Sequence, residues 1–199
     1  MRLVVYDRTC VRKRGHLSPV WAAGSRLYRA LGRTDAARGV ASWDEALDWL
    51  AAHPEPIHEI QYWGHGRWGR ALVDEDVLDA ESIAGRHRAK LEAIRERLAP
   101  GALFWFRTCE TFGARRGIDF AQRLADFLGA HVAGHTFVIG FHQSGLRALA
   151  PGMRASWSAD EGLAEGTPEE PRRARWSRPW AVRTVTALTR QIPARWLPR

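Results

Sequence analysis

The sequence predicts an α/β protein of three layers, with a mostly parallel sheet flanked by helices on both faces. Three observations carry this prediction. Short apolar runs alternate with segments of helical spacing over residues 3–141, with no internal repeat of longer period. The run Ala102-Leu103-Phe104-Trp105-Phe106 is apolar without interruption, as expected of a strand covered on both sides. With 199 residues, 45% of them hydrophobic, the chain has enough apolar matter for one core.

Residues 3–6 form the first strand, ending at Asp7. Ser18-Pro19 reads as a helix start, with Trp21, Leu27, Tyr28 and Leu31 at helical spacing and Gly32 as the stop. A weaker strand follows at 38–41. Ser42-Trp43-Asp44-Glu45 has the capping-box pattern and opens a short helix that Pro54 ends. The strand over 57–63 stops at Gly64-His65-Gly66, and an acidic loop leads to a long helix predicted over 80–98, with Pro100-Gly101 as its stop. The apolar run 102–106 ends at Arg107-Thr108-Cys109. A helix over 117–128 and a strand over 131–141 complete a predicted domain at 1–157. Residues 158–178, rich in Glu, Pro, Arg and Gly, read as a charged linker, and 179–199 as a basic, tryptophan-containing helix or tail.

Charge is unevenly distributed. The net +8 arises from 30 basic and 22 acidic residues, and 171–199 holds eight arginines with no acid, which leaves a neutral body. The whole fold is therefore not expected to be a nucleic-acid-binding surface. No run approaches the ~20 apolar residues of a membrane helix, and the N-terminal apolar stretch is too short for a signal peptide. Two cysteines, Cys10 and Cys109, give no disulfide framework, so a cytoplasmic location is expected.

In an open parallel sheet, reactive groups gather at the carboxyl ends of the strands. Two predicted strands end in such groups, at His65 and Cys109, and neighbouring strands would bring them to one edge. An imidazole beside a thiol can deprotonate it and create a nucleophile. The amides of Gly66 and Cys109 could serve as an oxyanion hole. Trp63 and Trp68 flank His65 and are candidate walls of the cleft.

The stretches Tyr62-Trp63-Gly64-His65-Gly66-Arg67-Trp68-Gly69 and Pro100-Gly101 through Thr108-Cys109, with Gly117–Ala125 and Gly129–Gly134, resemble the caspase-like cysteine peptidases. Small bacterial caspase-like domains are the nearest in character, and the resemblance covers roughly 57–152. It implies a caspase-like fold, a His65 base or acid, a Cys109 nucleophile, a peptide or protein substrate and no cofactor. Two departures stand out. Thr108 replaces the Ala that often precedes the nucleophile, and Glu110 follows it, where a carboxylate disfavours the thiolate.

Each residue also has a plainer reading. Cys109 ending a buried strand can be a small core residue, and His65 a turn residue. The acids Asp74, Glu75, Asp76, Asp79 and Glu81 can be a solvated loop before a helix. Alternatively Asp74 and Asp76, with Glu110, form a pocket for a basic side chain. His87 reads as packing, and Cys10 as a loop residue whose basic neighbours would favour its thiolate. No metal site is predicted, since His131 and His135 share no ligand spacing with a Cys or carboxylate. The C-terminal segment reads either as a helix packed on the domain or as a dock for an acidic partner, nucleic acid or an anionic membrane. Alternatives to a peptidase are therefore a silent caspase-like scaffold and an anionic-surface binder.

Overall fold

The computed structural model describes residues 1–11, 16–178, 180 and 183–198. Arg12, Lys13 and Arg14, the basic neighbours of Cys10, lie outside them, as do Pro179, Ala181, Val182 and Arg199 of the tail. In chain order the first half holds β1 (Arg2–Asp7), α1 (Ser18–Ala30), β2 (Ala36–Val40), α2 (Trp43–Ala51) and β3 (Ile57–Trp63). A small antiparallel sheet follows, made of β4 (His65–Arg67), β5 (Arg70–Val73) and β6 (Asp76–Leu78). Then come α3 (Ala80–Ala84), α4 (Arg88–Arg95), β7 (Leu98–Arg107), α5 (Ala114–Leu128) and β8 (His131–His135). The remainder holds β9 (His142–Gln143), β10 (Leu146–Leu149), β11 (Leu163–Gly166), β12 (Pro171–Ala174), β13 (Val185–Thr186) and a 3-10 turn at Ala194–Trp196.

Six strands form the central sheet in the order β10-β8-β7-β3-β1-β2. All neighbours run parallel except β10, which closes one edge antiparallel to β8. The mixed α/β architecture and mostly parallel sheet are thus as the sequence predicts. Alternation along the strands assigns the two faces. Leu3, Val5, Ile60, Tyr62, Phe104 and Phe106 join the core built with α2, α4 and α5. Val4, Trp63 and Tyr28 of α1 pack on the opposite face.

On that opposite face the layer is completed by the C-terminal segment rather than by a helix. Val185 and Ile192 are buried against Trp105, Ala133 and Leu146. The helix expected at the C-terminus is not formed by the described residues, because Val185–Thr186 pairs with β9 as a strand. Arg107, at the end of β7, secures the segment. Its guanidinium donates to the Thr186, Ala187 and Thr189 carbonyls at 2.8, 3.1 and 3.1 Å and to Tyr28 Oη at 2.9 Å.

Three further expectations differ. The helix predicted over 80–98 is broken at Gly85, and His87 turns in to cap α4 with its ring 3.6 Å from Asp44 and 3.8 Å from Asp76. Glycine in a helix interior costs about 1 kcal/mol, and the break lets that histidine be buried. Leu98 to Gly101 belong to β7, not to a helix stop. Leu98 pairs with Ile57, and the register resumes only at Leu103–Glu59. Pro100 has no N–H for the ladder and Gly101 takes φ +72°, so the two make a bulge. Finally, the stretch read as a linker carries the β11–β12 hairpin, whose Thr167 amide donates to Glu170 O at 3.2 Å across the turn.

Candidate active site

Four loops leave the carboxyl ends of β1, β3, β7 and β8, and they stand side by side because those strands are adjacent in the order β1-β3-β7-β8. The register sets Tyr6 beside Trp63 and Trp63 beside Arg107. Cys10, His65, Cys109 and Ile139 therefore occupy successive positions along one edge of the sheet.

The β4–β5 hairpin that begins at His65 and the loop of Cys109 pack backbone to backbone. Trp68 N donates to Glu110 O at 3.1 Å, and Gly69 N to Thr111 O at 2.8 Å. A Cβ at Gly66 would lie 2.7 Å from the Cys109 carbonyl oxygen and 2.8 Å from Thr108 Cβ, so only glycine fits. Trp68 and Glu110 hold φ of +31° and +30°. Such backbone costs on the order of 1–3 kcal/mol and gathers at functional sites.

The side chains make different contacts. His65 Nε2 lies 3.2 Å from Cys10 Sγ, and its ring meets Trp21 edge-on at 5.5 Å. Cys109 Sγ donates to Ile139 O at 3.8 Å. Burial pushes the Cys109 thiol up to about 11, and the Glu110 carboxylate adds to the rise. Burial likewise pushes Glu110 up to about 7, with the Arg67 guanidinium opposing it. Glu110 is 9% exposed, and its Oε2 has no hydrogen-bond partner. In this arrangement the thiol at Cys109 holds its proton at neutral pH.

The remaining candidates are spread around this edge. Trp63 is buried beneath it, packed on Tyr28 at 5.0 Å between centroids, with its Nε1 donating to Gln61. Trp68 is buried against Ala114, Val138 and Ala174. Asp74, at φ +53°, forms the β5–β6 turn. The Asp76 carboxylate accepts from Trp43 N at 2.6 Å and pairs with Arg86 at 2.6 Å, which ties the hairpin to the start of α2. Asp79 caps α3. Cys10, read from sequence as a loop residue, is the thiol that touches the imidazole. The signal for it was present, since the loop after β1 emerges at the same edge as the other two.

Among the described residues, no group of three or more His, Cys, Asp or Glu side chains is placed to hold a metal ion. No described helix is long and apolar enough to cross a membrane. No curated protein and no solved structure matches the chain. Residues 35–146 match one family, and that range runs from β2 to the start of β10 and takes in both His65 and Cys109. Since the match spans more than half of the sequence, the chain belongs to the family described as Domain of unknown function (DUF4347).

Proposed function

We propose that the protein is a cysteine peptidase of caspase-like fold, with His65 as base and Cys109 as nucleophile. The observation that carries this reading is the adjacency of β3 and β7, whose ends lead into the His65 hairpin and the Cys109 loop, which are in backbone contact. In the reaction His65 takes the Sγ proton of Cys109. The thiolate adds to the scissile carbonyl carbon, and the oxyanion accepts from the Gly66 and Cys109 amides. Collapse to a thioester expels the amine, which leaves with the proton from His65. Water, deprotonated by His65, then hydrolyses the thioester and restores the thiol.

The conformation described is a resting one for this chemistry. The imidazole faces Cys10, and it must turn toward Cys109 across roughly one strand spacing, ~5 Å. Of the acids read as a basic-residue pocket, Glu110 lies beside the nucleophile. A cationic substrate side chain next to it would restore its charge. A second reading, a silent scaffold of the same fold, is favoured by the high value of the Cys109 thiol, about 11.

Alkylation of the full chain with iodoacetamide, mapped by mass spectrometry, separates the two readings. The peptidase reading predicts that Cys109 is modified in a His65-dependent way, with at least a tenfold slower rate in His65→Ala. Equal rates in His65→Ala and the parent, at a thiol reacting only above pH 9, would leave the scaffold reading in place.

A further inference from the structure

We infer that the open cleft between β10, the β11–β12 hairpin and the C-terminal segment binds single-stranded nucleic acid. This rests on none of the chemistry proposed for Cys109. The cleft encloses about 670 Å³, and its walls carry Arg147, Arg173, Arg175 and Arg178 against one carboxylate, Glu161. Arg147 is paired with Glu161, and Arg173 with Glu165. Among the described residues, Arg175 and Arg178 have no carboxylate within ion-pair distance, and Arg175 Nε is held by Leu163 O at 3.1 Å. Two guanidinium groups are thus placed without a counter-ion on a segment, 171–199, that contains no acid.

Indoles alternate with these arginines along the chain, Trp176 in the cleft wall and Trp180 just beyond it. Trp176 lines the cleft and is 62% exposed. Trp180 is 77% exposed, with the Arg178 guanidinium 5.8 Å above its ring. Both indoles leave ring faces open to a stacking partner. Trp196 adds a buried Nε1 donor, without a hydrogen-bond partner, to the cleft wall. Alternating arginines and indoles meet the two needs of a single strand, phosphate pairing and base stacking.

Concavity selects among the anionic partners. A bilayer cannot enter a cleft walled by β12 and the C-terminal segment, and these residues are not on an amphipathic helix that could lie flat on one. A duplex keeps its base faces stacked inside, out of reach of Trp176. A single strand offers phosphates and ring faces together.

The test uses the full chain and fluorescein-labelled ten-nucleotide oligo(dT) and oligo(U), read by anisotropy in 50 mM salt. The same chain is mixed with a ten-base-pair duplex and with phosphatidylserine-containing vesicles. Saturable binding of at least one single strand is expected, weakened tenfold or more at 200 mM salt. Trp176→Ala should weaken it about tenfold. Arg175→Ala with Arg178→Ala should weaken it further and flatten the salt slope by about 1.4. These side chains are exposed, so far-UV circular dichroism should be unchanged. The inference is overturned by no saturable binding at 50 mM salt, by a Trp176→Ala variant that binds as the parent does, or by duplex or vesicles binding as tightly as the single strands.

Discussion

Glu110 carries the sharpest consequence at the scale of single residues. Its carboxyl is raised to about 7 from an ordinary 4.5, so between those values the folded chain holds a proton that the unfolded chain has lost. Stability from this group therefore falls as pH rises from about 4.5 to 7, by an amount of order 3 kcal/mol. Glu110→Gln should remove that slope, read as the difference in urea midpoint between variant and parent at pH 5 and pH 8. It should also speed alkylation of Cys109 above pH 7, since the neighbouring negative charge that helps hold the thiol up is gone. A parent and variant with parallel stability profiles would contradict this. At Gly66, an added methyl meets backbone and the side chains of Thr108 and Thr111, so Gly66→Ala should cost about 1–3 kcal/mol and spread the two loops. Little of this was legible in the sequence. Glu110 stood out as a charge beside a thiol, but its burial depends on Trp68 and Phe137, which arrive from two other segments through backbone hydrogen bonds.

Among the elements, the C-terminal segment differs most from what its residues suggest. Val185, Leu188 and Ile192 fit a helical stripe, yet the segment runs as a short strand and turns whose carbonyls face Arg107 and Tyr28. Periodicity could not reveal this, because the choice was made by a cation on β7 that needed acceptors. Tyr28 Oη donates to Ala187 O at 2.8 Å and accepts from Arg107. Tyr28→Phe should therefore cost about 1–3 kcal/mol, with faster amide exchange confined to 184–192. Unchanged exchange there would show that the hydroxyl does not hold the segment. Removing 184–199 would uncover Trp105, Ala133 and Leu146, so the segment is part of the fold and not an appendage. The elements that were legible, α2 with its Ser42 cap, β3, and the core of β7 from Ala102 onward, are those whose local pattern agrees with their burial. The β11–β12 hairpin was not, since Glu165 and Arg173 pair on an exposed ribbon without apolar alternation.

For the whole molecule, the strand order β10-β8-β7-β3-β1-β2 decides what can react with what. It sets a thiol on each side of His65, Cys10 from the β1 loop in contact with the ring and Cys109 from the β7 loop in backbone contact with the His65 hairpin. Two of these strand ends were legible in the residues themselves, and the third follows from the sheet's parallel order, which places the β1 loop at the same edge. The most direct measurement is the site of covalent capture by a peptidyl acyloxymethyl ketone with a basic residue next to its warhead, mapped on the full chain and on His65→Ala and Cys10→Ala. The account predicts one adduct, on Cys109, lost in His65→Ala and retained or faster in Cys10→Ala, where the imidazole is free to turn. An adduct on Cys10, or none above the rate of a free thiol, would contradict it.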